Sequence, residues 1–246
     1  MISIQESYVD LIYLREYLPG EYLPQKNLTK KAAVLFLHGY PGSQKNYDIA
    51  EHLAFQGFHC YVMHYRGSWK SKGDYSLLSI YEDVHRVIHF LRQKGFENKA
   101  ISLIGSSWGG FVALEILAKY PDLCKVILLA PFINIGAHEG DLSDVSDFLA
   151  AVTRPAIKNY EKEKLFSDLK VVQKEFNPWH KLKEIEGKNV LIIHGSVDQL
   201  CPIAYSRQLK FQFKTEARLY ELQNQDHFLS TREILYEFCL TFLTEP

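Results

Sequence analysis

Ser107 stands at the centre of a Gly-Ser-Ser-Trp-Gly segment, residues 105–109, which has the form G-x-S-x-G. An apolar run at residues 100–104 precedes this segment, and a helix-like apolar stretch begins at Trp108. A serine at a strand-to-helix junction lies on a sharp turn, and small residues two positions away on either side let the chain turn without overlap. The Ser107 hydroxyl would then project above the sheet edge as a nucleophile, with a helix N-terminus behind it. A glycine-rich turn without chemistry is the alternative.

A serine hydroxyl becomes a strong nucleophile only when a base removes its proton and an acidic group orients that base. Two later segments supply these groups. Asp198 follows a buried strand predicted at residues 188–193, and His227 follows the last predicted strand, at residues 217–221. Because the carboxyl ends of parallel strands converge on one crevice, we expect Ser107, Asp198 and His227 to meet there, in that chain order.

Each of these residues also has a structural interpretation. Asp198 could cap a loop, because aspartate is common after strands, and His227 could be a packing histidine. Asp226 could compete as the acid, but its position next to His227 predicts that its side chain points away. Arg66, in a predicted loop at residues 65–74, is expected to brace that loop through hydrogen bonds.

The elements that must position these residues alternate between strands and helices. Strands are predicted at residues 8–17, 31–37, 58–64, 100–104, 125–130, 188–193 and 217–221, and helices at residues 46–56, 80–94, 108–120 and 231–242. Such alternation is typical of a mostly parallel sheet with helices on both faces. The pattern therefore predicts a single α/β domain over residues 1–246.

Residues 135–180 interrupt this alternation, because they carry no strand signal. Two helical stretches are predicted there instead, at residues 141–151 and 159–176. An insertion between two sheet strands can cover the carboxyl edge of the sheet, where ligands bind. We therefore expect residues 135–180 to form a small helical cap or lid.

Composition limits the classes of partner. The chain has 246 residues, a formal net charge of −1 and 47% hydrophobic residues, with no basic stripe. A nucleic-acid partner is therefore not expected. No secretory signal is recognised in the first ten residues, and no apolar run is long enough to cross a bilayer. The widely spaced cysteines predict free thiols in a cytoplasmic protein and no structural zinc site; they are Cys60, Cys124, Cys201 and Cys239.

Four segments, taken in order, resemble the α/β-hydrolase superfamily. They are similar to its oxyanion loop, nucleophile elbow, acid loop and histidine loop, and lie at residues 38–39, 105–109, 195–202 and 226–228. The resemblance covers the chain from about residue 32 to its end, apart from residues 135–180. It implies the α/β-hydrolase fold, with a central sheet that is mostly parallel and a helical cap insertion.

Residues 65–68 (Tyr-Arg-Gly-Ser), with Gly73 further on, and the elbow at residues 107–110 are most similar to the prolyl oligopeptidase branch of this superfamily. Bacterial feruloyl and cinnamoyl-type esterases share much of this pattern. The large peptidases of the branch gate peptides with an N-terminal propeller domain, and no such domain precedes the hydrolase segments in this sequence. The resemblance therefore favours esters and other small acyl substrates over oligopeptides.

The resemblance implies a role for each matching residue. Ser107 would attack the acyl carbon, His227 would take its proton and pass it to the leaving alcohol, and Asp198 would hold the imidazole tautomer. The backbone N–H groups of Tyr40 and Trp108 would form the oxyanion hole. Neither a metal nor an organic cofactor is implied, because covalent catalysis is complete within the triad.

These roles predict a serine hydrolase that cleaves short-chain or small aromatic carboxylic esters through an acyl-enzyme. A serine peptidase, aminopeptidase or thioesterase stays open, because the same triad serves all of them. An aminopeptidase would need acidic residues for the substrate amine, and Asp141, Asp144 and Asp147 are candidates. A binding protein without turnover would lack a triad member, and all three are present. The three tryptophans could line an acyl or aromatic pocket, with core or cap packing as the alternative for Trp69 and Trp179.

Overall fold

The computed structural model describes residues 2–3, 10–13, 32–133, 135, 142–153, 156–158, 161–176, 179 and 181–245. Within these residues, eight strands form one sheet: β1 Ile2–Ser3, β2 Asp10–Tyr13, β3 Ala33–Leu37, β4 His59–His64, β5 Ile101–Ser106, β6 Val126–Leu129, β7 Val190–Gly195 and β8 Arg218–Leu222. The strand order is β1-β2-β4-β3-β5-β6-β7-β8. Strand β2 pairs antiparallel with both β1 and β4. Every other neighbouring pair in this order, from β4 through β3, β5, β6 and β7 to β8, is parallel.

Seven α-helices flank the sheet in the described part of the chain: α1 Tyr47–Phe55, α2 Leu77–Gln93, α3 Trp108–Lys119, α4 Ser143–Val152, α5 Lys162–Glu175, α6 Ile203–Leu209 and α7 Arg232–Thr244. Buried side chains form two hydrophobic clusters, one on each face of the sheet. The first contains residues of α2, α3 and α6, and the second contains residues of α1 and α7. Alternate residues of β3 belong to opposite clusters, which is why this strand is apolar throughout. The mostly parallel sheet predicted from the sequence is confirmed.

Two helices differ from the prediction. Helix α2 begins at Leu77 rather than at residue 80, because Ser76 accepts a hydrogen bond from the Leu78 N–H at 3.2 Å and so caps the helix. Helix α6 was not predicted, because seven residues are too few for a helical period to stand out. At the N-terminus, only Asp10–Tyr13 of the strand predicted at residues 8–17 lies within the described residues.

Helices α4 and α5 lie where helical stretches are predicted within residues 135–180, between β6 and β7. Asp168 of α5 accepts hydrogen bonds from the Leu77 N–H at 2.9 Å and the Ser76 hydroxyl at 2.7 Å. These bonds join α5 to the N-terminus of α2. The role of the insertion as a cap stays a prediction.

A second attachment of the insertion was not anticipated. Ser68 and Ile157 form an isolated antiparallel bridge. On either side of it, the Trp69 N–H donates to Ala156 at 2.8 Å and the Lys158 N–H donates to Gly67 at 2.9 Å. The insertion is therefore hydrogen-bonded to the loop that follows β4.

No helix in the described part of the chain combines the length and the apolar composition that crossing a bilayer requires. The four cysteines are free thiols, as the sequence predicts, and Cys60, Cys201 and Cys239 are buried. The parallel strands all end at one edge of the sheet, and the segments after β3, β5, β7 and β8 carry the predicted site residues.

Candidate active site

Ser107 joins β5 to α3 with backbone angles φ 50° and ψ −119°. This left-handed conformation is strained for a residue with a side chain and persists only where the surroundings hold it. The Ser107 N–H donates to the Leu129 carbonyl at 2.9 Å, and its carbonyl accepts from the N–H groups of Gly110 and Phe132, each at 2.9 Å. The neighbouring strand and the following loop therefore fix the turn.

The glycines around Ser107 are required by close packing of backbone. A Cβ on Gly105 would lie 2.3 Å from the Gly109 carbonyl oxygen, and a Cβ on Gly109 would lie 2.0 Å from the Leu37 carbonyl oxygen. Gly39 packs against the nucleophile itself, because its Cβ would lie 2.8 Å from the Ser107 Cβ. The two glycines of the G-x-S-x-G pattern are therefore needed for the close contact of α3 with β3 and β5.

Asp198 and His227 form a hydrogen-bonded pair in which the Nδ1 of His227 lies 2.8 Å from Asp198 Oδ2. The other carboxylate oxygen accepts from the N–H groups of Leu200 at 2.9 Å and Cys201 at 2.8 Å. Burial alone would raise the pKa of Asp198, but hydrogen bonds from His194 and His227 outweigh it and hold this pKa well below its usual range. An ionised Asp198 requires the proton on His227 Nδ1, which leaves Nε2 able to act as a base.

Asp226 faces away from His227, as its position in the sequence predicts. Its Oδ1 accepts a hydrogen bond from the Phe228 N–H at 3.0 Å, and its side chain is exposed. Gly195 lets the acid loop approach the histidine loop, because a Cβ there would lie 2.2 Å from the Gln225 carbonyl oxygen. The structure therefore brings Asp198 to His227. Asp198 also accepts hydrogen bonds from backbone N–H groups of its own loop. It therefore caps this loop, as the structural interpretation predicts, and pairs with His227 as well.

Ser107 and His227 line a common cavity of about 240 Å³. Its other walls are mostly apolar and aromatic, formed by Tyr40, Pro41, Ser43, Trp69, Trp108, Phe132, Phe148, Leu149, Val152, Ala156, Leu200, Cys201 and Phe228. Trp69 and Trp108 lie where an acyl or aromatic pocket was predicted. Trp179 instead donates its indole N–H to the Ile133 carbonyl at 3.2 Å.

A second recess, of about 50 Å³, also contains Ser107 and His227 in its lining. Its lining is mixed, with the polar side chains of Asn46, Ser106 and Arg232 beside apolar ones such as Leu129 and Leu229. Asn46 donates to the Ser106 hydroxyl at 3.2 Å and accepts from Arg232 at 2.8 Å. Ser107 and His227 therefore border a mostly apolar cavity and a smaller recess with a mixed lining.

Tyr40 and Trp108 both lie beside the nucleophile. Tyr40 follows Gly39, which packs on Ser107, and Trp108 is the first residue of α3, so its N–H lies outside the hydrogen bonds of the helix. The Tyr40 hydroxyl lies 2.5 Å from Thr153 Oγ1. Thr153 donates to the Leu149 carbonyl at 2.8 Å, so Tyr40 is the donor to Thr153. The loop after β3 is thereby joined to the insertion.

Two of the three acidic candidates for binding a substrate amine, Asp144 and Asp147, do not line the cavity. Asp144 and Asp147 are exposed, and Asp147 pairs with Lys162 at 2.5 Å; Asp141 lies outside the described residues. Arg66 pairs with the buried carboxylate of Asp83, consistent with the predicted bracing role.

His194 is not among the residues that the sequence singles out, yet its Nε2 lies 3.0 Å from Asp198 Oδ2. The signal that could have identified it is a histidine at a strand end, four residues before the acid. No comparable signal marks Thr153, which is 113 residues from Tyr40 in the chain.

Two buried histidines lie beneath the loop that carries Tyr40. Burial lowers the pKa of His38 to about 3 and that of His64 to about 4, so both rings are neutral at neutral pH. His38 Nδ1 donates to the Gly39 carbonyl at 2.7 Å, and the Tyr47 hydroxyl lies 2.6 Å from His64 Nε2. The unfolded chain would protonate both rings below a pKa of about 6.5.

We expect His64→Gln to reduce the acid sensitivity of the fold. Below pH about 6.5 the unfolded state binds a proton that the folded state excludes, so stability falls with pH until the folded pKa of about 4 is reached. Glutamine keeps a nitrogen near the position of Nε2 and does not titrate. Between pH about 6 and 4.5, the unfolding free energy of the wild type should fall faster than that of the variant by about 1.4 kcal/mol per pH unit. Urea unfolding at several pH values measures this difference, and parallel curves would contradict it.

The chain matches known families and folds. A family model named Hydrolase_4, described as "Serine aminopeptidase, S33", matches residues 29–177. A probable alcohol acetyltransferase of Cyberlindnera fabianii is 32% identical over 119 residues, which are 48% of this chain and 32% of that protein. The chain thus matches about a third of the length of that relative. The AB hydrolase superfamily protein YisY of Bacillus subtilis is 25% identical over 234 residues, covering 79% of this chain and 84% of that protein.

Among solved structures, Est1E from Butyrivibrio proteoclasticus with ferulic acid bound aligns with a TM-score of 0.75. The alignment covers 99% of both chains at 20% sequence identity. At this identity the likeness shows a shared fold, and it extends over the sheet, the helices and the insertion together.

Proposed function

The chain belongs to the α/β-hydrolase superfamily, in the family described as serine aminopeptidase S33, and from this premise we propose that it is a serine hydrolase of carboxylic esters. In this proposal Ser107 is the nucleophile, His227 the base and Asp198 the group that orients the base. The observation that carries it is the 2.8 Å pair of His227 and Asp198 beside a strained serine that lines the same cavity as His227. Tyr40 and Trp108 are the proposed oxyanion donors.

The proposed reaction proceeds through an acyl-enzyme. Ser107 Oγ attacks the ester carbonyl carbon while its proton passes to His227 Nε2, and the backbone N–H groups of Tyr40 and Trp108 stabilise the oxyanion. The imidazolium then protonates the leaving alcohol oxygen as the C–O bond breaks. Ionised Asp198 stabilises this imidazolium. Finally, His227 deprotonates a water molecule that attacks the acyl carbon, and the imidazolium passes this proton to Ser107 Oγ as the bond from Oγ to the acyl carbon breaks, which releases the acid and restores Ser107. The smaller recess of about 50 Å³ has room for such a water, and Asn46, Ser106 and Arg232 offer it polar partners.

The cavity walls favour an ester over a peptide with a free amine. An aminopeptidase must hold the substrate ammonium group, and no described residue lining the cavity carries a carboxylate. Burying an unpaired ammonium ion against apolar walls would be strongly unfavourable. The matching family is described as a serine aminopeptidase family. We propose that this chain differs from an aminopeptidase in having no carboxylate, among the described residues of the cavity, that would bind the substrate amine.

The size and aromatic lining of the cavity support a small acyl group. Its volume of about 240 Å³ lies below the range of about 300–1,000 Å³ that is typical of sites for drug-sized ligands. Short-chain and single-ring acyl groups are therefore the proposed substrates. Est1E binds the aromatic ferulic acid on the same fold. We also propose that residues 135–180 act as a cap, because Phe148, Leu149 and Val152 of α4 form part of the cavity wall.

Labelling with a fluorophosphonate probe tests this function. We expect stoichiometric labelling that peptide mapping assigns to Ser107, and turnover of p-nitrophenyl esters that is fastest for short-chain and single-ring acyl groups. Heat-denatured protein is the control for nonspecific labelling. Faster cleavage of aminoacyl p-nitroanilides than of esters would favour the aminopeptidase, and labelling with thioester turnover alone would favour the thioesterase. A folded protein that does not label would contradict the proposal.

A further inference from the structure

His194 lies at the end of β7, and its side chain is buried. Its Nε2 is 3.0 Å from Asp198 Oδ2 and 2.7 Å from the Cys201 carbonyl oxygen. Neither of these oxygens carries a hydrogen when Asp198 is ionised, so Nε2 must carry the ring proton and donate to both. In the neutral ring, Nδ1 then accepts the proton of the Ser206 hydroxyl, which is 2.7 Å away.

Two histidines therefore share one oxygen of the proposed catalytic acid. Oδ2 of Asp198 accepts from His227 at 2.8 Å and from His194 at 3.0 Å, while backbone N–H groups occupy Oδ1. Only His227 moves a proton in the proposed reaction. The other donors hold the carboxylate, and His194 is the only side chain among them in the described part of the chain.

The same histidine connects three segments. Its backbone belongs to β7, its Nε2 holds the acid loop through Cys201, and its Nδ1 contacts Ser206 of α6. Ser206 is fully buried, so water does not compete for this contact. A buried ring bonded on both nitrogens cannot rotate without losing hydrogen bonds, which is costly because water cannot replace them.

We propose that His194, supported by Ser206, is a positioning residue that holds the Asp198 carboxylate in the orientation required by the Nδ1–H group of His227. This proposal rests on the proposed function, because it assigns His194 to the same catalytic pair. At metal sites, side chains that orient a ligand through a hydrogen bond typically contribute about 10- to 100-fold to affinity or activity, and we expect an effect of the same size here. We expect loss of this hydrogen bond to lower kcat and to leave KM almost unchanged, because His194 does not line the substrate cavity.

Two replacements at one position separate the hydrogen bond from packing. His194→Gln keeps an N–H donor near the position of Nε2, and His194→Leu fills similar space without a donor. We expect His194→Leu to lower kcat about 10- to 100-fold with little change in KM, and to lower the fluorophosphonate labelling rate by a similar factor. His194→Gln should recover most of both rates. Unchanged rates in folded His194→Leu, or equal losses in the two variants at equal thermal stability, would overturn the proposal.

Nuclear magnetic resonance of the wild type, with ¹⁵N-labelled histidine, provides a test that needs neither turnover nor a folded variant. We expect a proton on Nε2 of His194 and on Nδ1 of His227. A His194 ring protonated only on Nδ1 would overturn the proposal, because it could not donate to Asp198. Absence of labelling and ester turnover in the wild type would contradict the proposed function instead, and the tautomer would still report on His194.

Discussion

Ser107→Ala is expected to lower kcat for short-chain esters by about four orders of magnitude or more while the protein stays folded. Alanine removes the nucleophile, and what remains of the site can only bind substrate and polarise its carbonyl group. The Ser107 hydroxyl is hydrogen-bonded to the Cys201 thiol, and losing this contact removes little that supports the fold. Steady-state hydrolysis of p-nitrophenyl acetate and urea unfolding measure the two quantities. Turnover within about tenfold of the wild type would exclude Ser107 as the nucleophile.

Ser107→Gly is the matched control for backbone strain at this position. Glycine adopts φ 50° and ψ −119° without the clash of a Cβ, so the glycine variant should be as inactive as the alanine variant but more stable. The expected difference in unfolding free energy is about 1 kcal/mol. A glycine variant that is less stable than Ser107→Ala would show that the elbow is not strained.

Gly109→Ala is expected to lower the unfolding free energy by about 4 kcal/mol or more. The added Cβ would lie 2.0 Å from the carbonyl oxygen of Leu37 and 2.6 Å from its carbonyl carbon. Both atoms belong to the backbone of β3, so no side-chain rotation can relieve the overlap. Helix α3 would have to move away from the sheet, which disrupts core packing and the nucleophile turn together. Soluble yield and urea unfolding measure the loss.

Gly95→Ala is the control for this substitution. Gly95 has φ +92°, but a Cβ there would have no atom within 4 Å. Only the backbone conformation is then penalised, by about 1 kcal/mol. If Gly109→Ala is no more destabilising than Gly95→Ala, the close approach of α3 to β3 is not a determinant of stability.

The sequence by itself determined the α/β architecture and the identity of the proposed triad. Buried parallel strands require continuous apolar runs, so the sequence alone predicts β3, β5, β6 and β7. The tight contact of α3 with the sheet requires glycine at residues 105 and 109. The nucleophile turn can therefore be predicted from the G-x-S-x-G spacing. Asp198 and His227 can also be predicted from the sequence, because polar residues directly after strands lie at one edge of a parallel sheet.

Tertiary structure alone decided what surrounds these residues. It assigned a second histidine, His194, to Asp198, joined Tyr40 to Thr153 across the insertion, and placed Asp144 and Asp147 outside the cavity. Helix α2 likewise begins at Leu77 partly because Asp168, 91 residues away, accepts its N–H. Each of these contacts depends on side-chain direction and on distances between segments far apart in the chain. Local spacing carries no information about such distances, whereas backbone turns and strand burial constrain the neighbouring residues directly.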